Sequence, residues 1–355
     1  MVKELYANGT YNKMYNIKLK NNHKTGAALI TVLIIVFMIM AIISNITIEN
    51  YRAIKRLANQ KSQEQAQYIL KAATSFGRAG LATSASTSKI DTLQDIWAQP
   101  IPKSNILNDI QMSGYIIDEQ GKFNINDLVS QGMINKTVVK QFETLLDYLN
   151  LPSGIALATA QYMASPVYQN DIMNQYTMNI PSYRPAGRPL IDISELTLVK
   201  GIKSEWVYKL SNYITAIPQK IDYSNESGAS MGNNTPNKEP TSTGTTQINV
   251  NTASAEVISA KSGIPLTVSQ RLITYRVNTP FNNSNDVLTF LSSNGVQISR
   301  GSGSQIQLDT LVTSSQYFTI HAIVDDGDYE FKMVSMVFRL NRSGQWPQIL
   351  WQHPE

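Results

Sequence analysis

Residues 27–43, AALITVLIIVFMIMAII, hold one hydroxyl, Thr31, and no charge. Apolar or weakly polar residues continue to Ile48, giving about 22 in all, close to the roughly 20 that cross a hydrocarbon core as a helix. That is too long for the h-region of a secretory signal, and no small-residue cleavage site follows. Lys18, Lys20, His23 and Lys24 precede the run and favour a cytoplasmic N-terminus, although Arg52, Lys55, Arg56 and Lys61 beyond it weaken that argument. Past the membrane the helical pattern continues. Tyr51, Ile54 and Ala58, then Ile69, Ala73, Phe76 and Gly80, recur at three or four residues with no proline between them. One helix over 27–81 is expected, on the order of 80 Å long at 1.5 Å per residue, membrane-spanning over 27–48 and amphipathic over 49–81.

Charge, cysteine and histidine content narrow the chemistry. Lys3, Lys13, Lys18, Lys20 and Lys24 against Glu4 put the whole net charge of +4 before residue 27, so the rest of the chain is formally neutral. A neutral body lacks the Lys and Arg excess that binds phosphate by counterion release. There are no cysteines, and the three histidines, His23, His321 and His353, show no zinc-ligand spacing. A G-x-S-x-G match at 228–232 lies in a polar linker, where no strand and helix can build a nucleophile elbow. No enzyme and no cofactor is expected.

Along the soluble part, 83–88 reads as a polar loop, and Trp97, Pro100 and Pro102 mark an irregular passage. A hairpin is expected over 114–125, turning at Gln120 and Gly121. A helical region follows over 126–217, with Val138, Phe142, Leu145, Leu146 and Leu149 on one face, and Trp206, Leu210 and Tyr213 or Ile214 on another. Residues 222–246 are nearly free of apolar side chains and read as a flexible linker. Then come a strand, a capped helix and a second helix from 247 onward. Phe318, Ile320, Ala322 and Val324 alternate as a strand, Asp325-Asp326-Gly327 turns, and a return strand and a last short one at 348–351 complete the chain. The class is α+β, with an antiparallel sheet interrupted by helices.

Lys24-Thr25-Gly26 ahead of the apolar run resembles a type IV prepilin leader, and FNIND at 123–127, SYRP at 182–185, ISEL with LVKGI at 193–202 and INVNTASAEV at 248–257 follow in order. On these motifs the chain resembles the protein K family of type II secretion minor pseudopilins (general secretion pathway protein K). The resemblance implies cleavage by the prepilin peptidase between Gly26 and Ala27. It also implies a single-pass protein of the bacterial inner membrane, with most of the chain in the periplasm. Thr31 stands at the fifth mature position, where most pilins carry glutamate, and its absence is characteristic of protein K. A tip subunit has no neighbour above it to supply the amine that such a buried carboxylate needs, whereas a threonine hydroxyl can bond within its own helix. The implied fold is a long helix packed on a pilin-like sheet, 82–125 with 305–355. Into it is set an all-helical insertion, 126–221 with 247–300, containing helix-hairpin-helix-like (SAM-like) units.

The implied role is a cap on the pseudopilus that helps move folded exoproteins across the outer membrane. Its partners would be the I and J subunits, with H as a further candidate, the exoproteins and the secretin gate. Tyr51, Ile54 and Ala58 would belong to the assembly helix. The family is also associated with calcium held by an acidic run, but here Tyr162-Met163-Ala164-Ser165 and Asp171 stand in that place, too few carboxylates for an ion wanting six to eight oxygens. Asp118 with Glu119, and Asp325, Asp326, Asp328 and Glu330, read as solvated turns.

The alternative is a membrane-anchored helix-hairpin-helix DNA-binding protein of competence type, which the 248–276 segment also resembles. Its hairpin turns would be Gly201-Ile202 and Gly263-Ile264-Pro265, with Lys203, Arg271 and Arg276 as candidate phosphate contacts. Phosphate-binding turns offer backbone N–H groups, and Pro265 has none. Nucleic acid is therefore not expected as a partner, and the hairpins read as packing units.

Overall fold

The computed structural model describes residues 23–107, 110–165, 170–178, 181–218, 245–296, 306–340 and 345–355. They fall into two units, one ending at Glu64 and the other spanning Gln65–Glu355. The charged leader through residue 22 and the 228–232 match lie outside the described residues, as does the expected linker except for its last two positions.

The first unit is helical. Helix α1 spans His23–Thr87, and from residue 26 to 64 none of its side chains is buried. It runs past the expected stop at 81, and the 83–88 loop is in fact its final turns. Hydroxyls return to carbonyls one turn back there, Thr83 to Ala79 at 2.9 Å and Thr87 to Thr83 at 3.2 Å, so the small polar residues continue the helix.

In the second unit α1 buries Ala66, Leu70, Thr74, Gly77 and Leu81, at intervals of four, four, three and four residues. Ala66 and Leu70 pack with Ala322, Val324 and Met333, flanked by Ile69 and Ala73. Leu81 packs with Trp97, Phe318, Ile320 and Val337. Phe76 and Gly80, assigned to this stripe on spacing alone, are exposed. Each precedes a buried position by one residue, about 100° around the helix. Gly77 lets the helix approach the sheet closely, since a Cβ there would sit 3.0 Å from Ile320 Cγ2.

Strand β1 (Ile101–Leu107) forms in the passage read as irregular, and it is an edge strand, where Pro102 is tolerated. It pairs antiparallel with β2 (Ile110–Asp118). The hairpin expected over 114–125 does not form. Asp118 accepts a hydrogen bond from Gln120 N at 2.8 Å and opens a 3-10 turn, Glu119–Gly121, that carries the chain out of the sheet.

Residues 119–316 then form the insertion. Strand β3 (Phe123–Asn124) leads through a 3-10 turn (Ile125–Leu128) to the β4–β5 hairpin (Val129–Ser130, Met133–Ile134). Helices α2 (Lys136–Tyr148), α3 (Gly154–Met163) and α4 (Asn170–Thr177), the 3-10 turn Ile193–Leu198, α5 (Ser204–Leu210) and β6 (Ile214–Thr215) complete the first part. The second holds β7 (Ile248–Asn249), α6 (Ala255–Ser262), α7 (Leu266–Asn278), α8 (Ser284–Ser293) and β8 (Leu311–Val312). The insertion is thus helical, as expected, but two-residue strands interrupt it and α8 is a third helix after 247. Val138, Phe142, Leu145 and Leu146 of α2 share one core with Leu196, Leu210, Leu272 and Leu291.

The chain re-enters the sheet at β9 (Tyr317–Asp325), directly beside β2, with Ile116 opposite Ile320. Strands β10 (Glu330–Phe338) and β11 (Gln348–Pro354) finish it in the antiparallel order β1-β2-β9-β10-β11. The whole insertion therefore occupies the place of a hairpin turn between two hydrogen-bonded strands.

Candidate functional site

Gly26 and Ala27 both lie within α1 and are exposed. Thr31 donates its hydroxyl to Ala28 O at 2.8 Å, so this polar group in the apolar run is satisfied inside its own helix. Tyr51 and Ile54 are 62% and 67% exposed, and Ala58 is exposed as well. Apolar side chains of this size left open call for a lipid or protein cover.

Two Asn-x-Asn pairs organise the insertion in the same way. Asn124 Oδ1 accepts from Asn126 N at 3.1 Å, and Asn126 clamps Leu190, accepting from its N–H at 2.8 Å and donating to its C=O at 2.9 Å. Asn249 Oδ1 accepts from Asn251 N at 3.0 Å, and Asn251 clamps Phe281 through both backbone groups at 2.9 Å. Each clamped residue precedes a capped helical turn. Asp192 opens a capping box with Glu195, and Asn283 accepts from Asn285 N and Asp286 N. Each turn then reaches a left-handed glycine, Gly201 at φ +88° and Gly295 at φ +78°, followed by Ile202 or Val296 on the common core. The insertion is an internal repeat, with Gly201 corresponding to Gly295 where sequence spacing had matched it to Gly263.

A buried polar hub joins the insertion to the sheet. Asp118 Oδ2 accepts from Ser315 Oγ and Thr252 Oγ1, both at 2.6 Å, and from Asn249 Nδ2 at 3.1 Å. Burial nevertheless pushes its carboxyl up to about 6, against the opposing hydroxyl bonds. Beside it Asp91 pairs with buried Arg339 and accepts from Ser315 N at 2.8 Å, and burial raises its pKa too. Glu119 bonds Thr319 and lies 3.4 Å from Lys122. Asp118 and Glu119 are thus 6% and 5% exposed, not solvated as expected, because the chain leaves the sheet underneath the insertion.

Two family models match, both for type II secretion system (T2SS) protein K, over residues 121–219 and 248–309. The type II secretion system protein K of Pseudomonas aeruginosa is 26% identical over 330 residues, 89% of each chain. That of Klebsiella pneumoniae is 26% identical over 209 residues, 56% of this chain and 64% of the relative. By these matches the chain is similar to the type II secretion protein K family. Its fold is similar to one in the GspK-GspI-GspJ complex of enterotoxigenic Escherichia coli, with TM-score 0.60 and 18% identity, covering 84% of this chain and 99% of that one.

Within this chain, the ends of each matched segment are tied together. Phe123 pairs with Ile214 in a parallel bridge, and Ile248 with Leu311 in another. The hairpin turns prove structural. Gly263 caps α6 at φ +76°, Ile264 is 1% exposed, and Pro265 is the N-cap of α7. Arg276 is buried with its guanidinium on Val250 O at 2.5 Å and Ala253 O at 2.6 Å, and burial lowers its pKa to about 10. It is committed to the fold and closed to phosphate. Lys203 and Arg271 are exposed, Lys203 lying 3.8 Å from Glu205 and over the Trp206 ring.

Tyr162, Met163 and Ala164 are buried in an apolar core, and among the described residues no three His, Cys, Asp or Glu side chains converge as metal ligands. Against Asp127 the buried cation is Lys261 Nζ, 3.0 Å away and over the Phe123 ring. The Asp325 turn is exposed and holds itself, Oδ1 accepting from Gly327 N at 3.1 Å.

Proposed function

We propose that this chain is a protein K, a minor pseudopilin that caps the pseudopilus. Its leader is cut between Gly26 and Ala27 by the prepilin peptidase on the cytoplasmic face of the inner membrane. Residues 27–48 anchor it, and most of the chain stands in the periplasm. There it assembles with the I and J subunits, with H as a further candidate, and supports export of folded exoproteins through the secretin gate. The expected division, sheet 82–125 with 305–355 and insertion 126–221 with 247–300, is redrawn in this reading, the insertion opening at Glu119 after β2 and closing before β9.

The observation that carries the tip position is the Thr31 hydroxyl bonded to Ala28 O. A pilin glutamate at this depth needs an amine from the next subunit, whereas this side chain needs nothing above it. Tyr51, Ile54 and Ala58 supply the apolar cover for sibling helices below. Immunogold labelling of assembled pseudopili tests the position: label at one end supports it, and label spread along the length overturns it.

A further inference from the structure

The sheet face turned away from α1 carries a cleft of about 420 Å³, a size suited to holding a ligand, between β9, β10 and β11 and the insertion around residues 191–193 and 211–216. Its floor is apolar, with Ile117, Val334 and Met336, and Ile191, 60% exposed, stands among the lining residues. Three rings line it in two cross-strand rows. Thr319, Met336 and Trp351 form one row, and His321, Val334 and His353 the other. His321 stacks on Tyr115 at 4.5 Å, and Trp351 on His353 at 5.0 Å.

The rings fix the cleft's chemistry. Trp351 Nε1 and His321 Nδ1 are screened from solvent and make no hydrogen bond. A buried donor without a partner costs about 1–3 kcal/mol, so each site calls for a matching group. Burial also holds His321 below its ordinary pKa and therefore neutral. Glu119 and Lys122 at the cleft neutralise each other at 3.4 Å. Asp192 and Glu355 also line the cleft, Asp192 already accepting from Ser194 N at 2.8 Å.

We infer that this cleft binds an extended, apolar segment of a partner polypeptide. A backbone in extended form offers carbonyl acceptors at every residue on an apolar body, which is what an unpaired indole N–H in a cleft with an apolar floor requires. Among the described residues strand β11, which bears Trp351, is the terminal strand of the sheet, the kind of edge to which a further strand can add. A lipid or detergent chain would match the floor but supply no acceptor.

The test uses the full chain, ¹⁵N-labelled in detergent micelles, with an acetylated and amidated hexapeptide of alternating leucine and serine as the probe. The Trp351 indole resonance is identified by its loss in Trp351→Phe. On titration it shifts downfield and saturates, and the fluorescein-labelled peptide binds Trp351→Phe roughly tenfold more weakly, the loss of one hydrogen bond. Since Trp351 Nε1 has no partner to lose, this variant keeps the parent's melting temperature, and the shift in the parent stands without it. No shift at millimolar peptide overturns the inference. So does equal affinity for the variant, or an equal shift produced by n-decane.

Discussion

Asn249 donates its side-chain amide to the Asp118 carboxylate across 3.1 Å, fastening the helical insertion to the last residue of the strand from which it departs. Asn249 also caps its own repeat, so the element that orders the insertion's second half is the element that docks it. Thr252 and Ser315 reach the same carboxylate oxygen, so the sheet and both ends of the insertion's second half meet at one atom.

The hub makes stability depend on pH in an unusual direction. Asp118 holds its proton to about 6 in the fold, against an ordinary 3.8, so folding favours the protonated form. Its contribution is fully present below about pH 4 and is lost as pH rises through 6, a swing of up to about 3 kcal/mol for a two-unit shift. Asp91, raised by burial, acts in the same sense. Denaturant melts of the full chain in detergent at pH 4.5 and 7.5 should show Asp118→Asn reducing the parent's loss on going to the higher pH. An unchanged difference between the two pH values would count against this account.

The two clamps should behave alike. Asn126→Ala or Asn251→Ala strands a buried N–H and C=O, of Leu190 or Phe281, and each should cost about 2–4 kcal/mol. Because each clamp sets one half of the repeat, hydrogen exchange should rise first around residues 190–202 for Asn126→Ala and around 281–296 for Asn251→Ala. Uniform loosening in both variants would contradict independent clamps.

Much of this architecture is legible in the sequence, and the failures share a cause. The long helix, the α2 face and the β9–β10 hairpin follow from local periodicity, which burial on one side imposes directly. The Asn-x-Asn pairs stand in FNIND and INVNTASAEV, but what they clamp lies 64 and 30 residues away in the chain, and no local pattern announces it. Asp118 and Glu119 look like a polar turn for the same reason: the groups that bury them, Asn249, Thr252, Ser315 and Thr319, come from far along the chain. Phe76 misleads because helical spacing fixes a stripe's period but not its phase, and the sheet selected the side with the glycine.

That choice of side gives two glycines opposite fates. Gly77→Val pushes methyl groups into Ile320 and should destabilise the fold by about 1–3 kcal/mol. Gly80 is exposed with nothing within 4 Å of an added Cβ, so Gly80→Ala should stabilise by about 0.5–1 kcal/mol through helix propensity alone. Thermal melts of the two variants should therefore move in opposite directions.

Arg276 separates the structural reading of the hairpins from the nucleic-acid reading. If the helix-hairpin-helix units served phosphate, Lys203, Arg271 and Arg276 would form one accessible basic set, and alanine at any of them would weaken DNA binding while sparing the fold. Instead Arg276 is buried on the inner side of α7, with its guanidinium on the carbonyls of Val250 and Ala253, just after the β7 bridge. Arg276→Ala should thus cost about 2–4 kcal/mol, from two charge-assisted bonds and a buried aliphatic stem. Arg271→Ala and Lys203→Ala, at exposed positions, should stay within about 0.5 kcal/mol of the parent. Duplex binding by the parent, followed in a salt titration, should remain at the weak level of a neutral body, and neither exposed substitution should change it. Micromolar binding at physiological salt that disappears in Arg271→Ala would put the DNA reading ahead. So would an Arg276→Ala variant that melts like the parent, since it would show that the guanidinium is free to serve a ligand.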